Sequence, residues 1–126
     1  ISPSTYTNVA FVNTLFDTTS NFDSTTYYRY TPSVAGYYHV DGVIMFNLSS
    51  NASITLVQIR KNGTTLLQNE WIGTFGNATT IHIHGLVYMN GSTDYLELWG
   101  YSNGGSPTFQ GNSENTYLHS HLVQQA

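Results

Sequence analysis

Five histidines carry most of the candidate chemistry in this chain. Four form two His-x-His pairs, His82/His84 and His119/His121, and the fifth is His39. In a β-strand, residues i and i+2 share a face, so each pair presents two imidazoles side by side. Imidazole is an ordinary ligand for iron, nickel and zinc. It is also the side chain whose charge changes near a pH of about 6.5, so a cluster across an interface would sense pH. A plainer use is as polar, aromatic-sized filler bonded to Tyr, Ser and backbone groups. Ligand count alone does not choose among the three.

Other catalytic chemistry is sparse. Ser120 lies between His119 and His121, but strand parity turns it to the opposite face, which argues against a Ser–His pair. Glu70, Asp94, Glu97 and Glu114 are scattered among seven acids, and no two are marked as a pair for glycoside cleavage. Asp94 reads as a turn-former at a strand start. The expectation is a chain that is not an enzyme. Exposed aromatics are the better hint. Tyr95, Trp99, Tyr101 and Phe109 are candidate ligand contacts, because Tyr and Trp stack on sugars or fill protein interfaces. The polar loop from Ser102 to Asn115 is a candidate contact loop.

Parity assigns the strands that position these groups. Tyr37–Phe46 reads as a strand, with Tyr38, Val40, Gly42, Ile44 and Phe46 facing the core and Tyr37, His39 and Asp41 facing away. In Thr79–Met89, Ile81 and Ile83 claim the core and His82 and His84 point out. In Thr116–Val123, Leu118, Ser120 and Leu122 claim the core, so Tyr117, His119 and His121 point out. Further strands are read over Val9–Phe16, Thr25–Tyr30, Ile54–Lys61, Thr64–Phe75 and Asp94–Tyr101. Ile54–Lys61 has mixed parity and reads as partly buried on both sides. Asn62-Gly63 is a strong hairpin signal, and Gly73 reads as a bulge. Residues 1–8 read as an arm or linker ahead of one domain over 9–126. No window has a helical apolar period, so the expected class is all-β: a sandwich, jelly roll or barrel.

Composition narrows the partners. Only 8% of the 126 residues are charged, against about 25% in ordinary domains. Three basic residues, Arg29, Arg60 and Lys61, cannot line a phosphate-tracking groove, so nucleic-acid binding is not expected. No apolar run reaches membrane-spanning length. There is no cysteine, hence no disulfide frame. Five Asn-x-Ser/Thr sequons, at Asn47, Asn51, Asn62, Asn77 and Asn90, read first as turn chemistry.

Several pieces, in order, match a known pattern. Phe11 and Leu15-Phe16-Asp17 precede Asn21-Phe22-Asp23. Tyr30-Thr31-Pro32 and Ala35-Gly36-Tyr37-Tyr38 follow, then Lys61-Asn62-Gly63, Asp94-Tyr95-Leu96-Glu97-Leu98 and the closing Asn115-Thr116-Tyr117-Leu118-His119-Ser120-His121-Leu122. Together they resemble the jelly-roll superfamily of the complement component one q globular head and the tumour necrosis factor ligands. Thr93 stands where that family has Gly before the Asp, and His119-Ser120 replaces its closing Ser-Gly.

The resemblance implies a two-sheet antiparallel jelly roll of about ten strands that assembles as a homotrimer. It places the strands holding Tyr37, His39, Asp41, His82, His84, Tyr117, His119 and His121 around the threefold axis. There His82, His84, His119 and His121 could hold one transition metal ion shared by three subunits. The Cys-free, nearly Lys-free, Thr/Asn/Tyr-rich composition is associated with exposed virion parts. The expected function is therefore a structural and binding module of a bacteriophage particle, a capsid decoration or fibre head. Its partners would be capsid or tail proteins or a host surface receptor. The alternative is a secreted recognition module of the same family that binds glycan or protein.

Overall fold

The computed structural model describes residues 1–11, 21–74, 76–111 and 114–126. Among them the chain forms eight strands and no helix: β1 Thr7–Asn8, β2 Gly36–Leu48, β3 Ala52–Lys61, β4 Thr64–Thr74, β5 Asn77–Met89, β6 Leu96–Ser102, β7 Thr108–Phe109 and β8 Tyr117–Gln125. They make two antiparallel sheets. One has the order β1-β6-β3-β4; in the other, β5 pairs one edge of β2 while β7 and β8 pair the other. The chain is an all-β sandwich.

Alternation of apolar residues builds the core, because a half-buried strand exposes one face only. On β2, Tyr38, Val40, Ile44 and Phe46 are buried; on β5, Ile81, Ile83, Val87 and Met89 are. They meet Val57, Ile59, Leu96 and Leu98 of the facing sheet in one cluster. β3 buries Leu56 and Gln58 as well as Val57 and Ile59, as its mixed parity predicts. Asn62 and Gly63 have φ of 53° and 82°, the left-handed pair of a tight hairpin turn. Two of the five sequon asparagines, Asn62 and Asn90, form turns, and Asn51 ties two distant segments together. The side-chain oxygen of Asn51 accepts from the Gly76 amide, that of Asn62 from Tyr95, and that of Asn90 from Ser92, Thr93 and Asp94.

Four expectations change. About ten strands become eight among the described residues. Thr25–Tyr30 is not a strand: the Asp23 carboxylate accepts from the amides of Thr25, Thr26 and Tyr27 and winds the segment into a turn, so local side-chain bonding overrides β propensity. Only Tyr30 forms isolated bridges, to Phe22 and Leu96. The polar loop 102–115 contains β7, which pairs Phe109 with Phe46. The register shift between β3 and β4 falls at Ile59/Arg60, not at Gly73, although Gly73 does take a φ of 74°. The first residues lie along the sandwich: Thr7 and Asn8 pair with Gly100 and Trp99 of β6. Most of the expected strand Val9–Phe16 lies outside the described residues.

Candidate functional site

The outer face of the β5-β2-β8 sheet gathers all five histidines. Register sets the pattern, since cross-strand partners share a face. Asp41 lies opposite His84 on β5 and opposite His119 on β8; His39 lies opposite Leu86 and His121; Val43 lies opposite His82 and Tyr117; Tyr37 lies opposite Tyr88. One carboxylate thus sits between two imidazoles, with a third imidazole two residues along its own strand. β2, β5 and β8 contain no Lys or Arg, and Asp41 is their single carboxylate.

The groups are close. His39 Nδ1 is 3.3 Å from Asp41 Oδ2. The His39 ring is 6.0 Å from that of His84 and 5.4 Å from that of His121. His119 stacks on Tyr117 at 4.4 Å, and Tyr37 meets Tyr88 edge-on at 5.5 Å. One potential ligand atom from each of His39, Asp41 and His84 lies within 4.8 Å of the other two. Of the four histidines expected at a metal, only His84 belongs to this group; the other two members are His39 and Asp41. A pocket of about 240 Å³ opens beside His82 and His84, lined also by Leu67, Gln68, Asn69 and Ile83. Its wall is fixed where Asn69 Nδ2 donates to the His82 carbonyl at 2.7 Å.

The expected aromatic contacts separate. Tyr95, Trp99 and Tyr101 are half-buried around the opposite sheet. The Arg29 guanidinium lies 3.8 Å from the Tyr95 ring centre and Arg60 lies 4.0 Å from that of Trp99, both cation–π distances. Tyr101 packs on Tyr6 at 4.7 Å. Phe109 turns inward instead, edge-on to buried Phe46 at 5.5 Å. A network around Glu97 has no counterpart in the strand pattern. Glu97 is only 6% exposed; it pairs with Arg29 at 3.5 Å and accepts from Trp99 Nε1 at 3.3 Å. Ser120 Oγ is buried and makes no hydrogen bond among the described residues, so it is paired with neither adjacent histidine.

The spacing His39-x-Asp41 puts both groups on one face of a strand and was readable as a pair. The third member, His84, comes from a strand that pairing alone brings alongside. No protein-family model matches the chain, and no curated protein matches it.

Proposed function

We propose that this chain is a non-enzymatic module that assembles as a homotrimer through the outer face of the β5-β2-β8 sheet and serves as a surface part of a virus particle, a bacteriophage capsid decoration or fibre head. The observation that carries the reading is the make-up of that face. Leu86 is 62% exposed, Tyr37 44% and Tyr88 42%. They surround the imidazole cluster on strands without Lys or Arg. A sheet face meant for water carries charge, especially on an edge strand such as β8. A face rich in aromatic residues and poor in Lys has the composition of a protein interface.

The jelly-roll resemblance supports the trimer, because it places these strands at a threefold axis. The virion placement rests on composition: 8% charged residues, no cysteine and one lysine. Loops and the aromatic face of the other sheet are then free to meet a capsid or a host receptor. Light scattering on the purified chain tests the assembly; the expected mass is three times the 14.0 kDa of one chain, and a monomer overturns it. Mass spectrometry of the native product tests the placement. Glycans at Asn47, Asn51, Asn62, Asn77 or Asn90 overturn the bacteriophage assignment and favour a secreted module.

A further inference from the structure

We propose that His39, Asp41 and His84 form a binding site within each chain for one divalent first-row transition metal ion, with zinc as the natural occupant and at least one coordination position open. Two imidazole nitrogens and one carboxylate oxygen make a normal donor set for such ions. All three ligand atoms lie within 4.8 Å of one another. Ligands around tetrahedral zinc, at about 2.0–2.1 Å from the metal, stand about 3.3 Å apart. His39 Nδ1 and Asp41 Oδ2 already have that separation, 3.3 Å. Small side-chain rotations bring in His84, which is exposed and has room to move.

Three further observations point the same way. Among the described residues, Asp41 has no oppositely charged partner except His39, so the carboxylate is not committed to a Lys or Arg. A His39–Asp41 ion pair accounts for two of the three groups, but it leaves unexplained why the β2–β5 register sets His84 opposite Asp41. The donors also stand on strands of one sheet, whose backbone fixes their spacing better than a loop would. The open position faces away from the sandwich, and the His121 ring, 5.4 Å from that of His39, offers a further donor on that side.

This site needs no second subunit, so it goes beyond the trimer reading and stands or falls separately. It also differs from a metal shared on a threefold axis by His82, His84, His119 and His121. The test is isothermal titration of untagged, EDTA-stripped protein with zinc chloride, with magnesium chloride as the hard-ion control. The expected result is one zinc per chain at about micromolar Kd or tighter and no magnesium uptake. Asp41→Asn and His84→Ala should each weaken zinc by at least about tenfold, with His82→Ala unchanged. The three side chains lie on an outer face, and Asp41→Asn preserves shape; thermal melts of each variant check the fold. No zinc uptake overturns the proposal. So does uptake that Asp41→Asn and His84→Ala leave intact, or one zinc per three chains abolished by His119→Ala. Light scattering on the same samples separates the two readings: a monomer holding one zinc keeps the site and removes the trimer, and a metal-free trimer does the reverse.

Discussion

Leu98 fills the space that a side chain on Gly42 would need. A Cβ at Gly42 would lie 2.6 Å from Leu98 Cδ1 and 3.0 Å from Ile83 Cγ2, and Leu98 is fully buried. Gly42 stands between Asp41 and Val43 in the middle of β2, so the facing sheet packs tightly against the backbone beneath the imidazole cluster. Overfilling a packed core costs about 1–3 kcal/mol. Gly42→Val is expected to lie at the upper end of that range, because both neighbours it would meet, Leu98 and Ile83, are buried in the core. Urea unfolding measures it. A variant as stable as the parent would mean that the sheets are not in contact there.

On the opposite sheet, Glu97 is a buried charge held by Arg29, Trp99 and Asn8. Removing one partner of a buried pair leaves the other charge uncompensated, at about 3–5 kcal/mol. Arg29 keeps some contact with water, its side chain being 27% exposed. Glu97→Ala is therefore expected to cost about 2–3 kcal/mol, below that range. Arg29→Met, which strands the buried carboxylate, should cost at least as much. A double-mutant cycle should return a coupling above about 1 kcal/mol; additivity would show that the network is incidental.

The Asp23 turn predicts a pH effect. Amides of Thr25, Thr26 and Tyr27 bond the carboxylate and hold its pKa at about 2, below the ordinary 3.8. The pKa is depressed in the folded state, so the bonded turn is fully favoured above the ordinary value and loses that support as pH falls through about 2. A carboxyl NMR titration should place the Asp23 midpoint near 2, with amide protection at Thr25 and Thr26 fading over the same range. A midpoint near 3.8 would show that the three bonds do not form in solution.

Legibility followed the range of each interaction. The core face of β2, Tyr38 through Phe46, and the outward turn of His82 and His84 were written in local period-two alternation. The Asn62-Gly63 hairpin was equally local. Thr25–Tyr30 misled because its β-forming residues lie beside Asp23, whose carboxylate captures their amides. Phe109 was hidden in a polar loop, and its two-residue strand (β7) exists only because Phe46 lies beside it. Glu97 follows the outward parity of Trp99, yet it is buried because Arg29, Trp99 and Asn8 close over it. The group His39, Asp41 and His84 was half visible. One pair sits at i and i+2, while His84 arrives through a register between strands separated by two others in sequence.

Leu86 offers the sharpest test of the interface. It lies opposite His39 and is the most exposed apolar side chain on that face at 62%. A single chain gains little from it, so Leu86→Lys should leave the stability of the isolated chain within about 0.5 kcal/mol. In a trimer built on this face, the same substitution brings an ammonium into a closed interface around a threefold axis, where three copies repel one another and lose water. The expected outcome is a folded monomer, with light scattering falling from three chain masses to one and an unchanged circular dichroism spectrum. A variant that stays trimeric would move the interface to another surface. The exposed Trp71 and Ile72 on β4, at 52% and 79%, would then be the next to substitute.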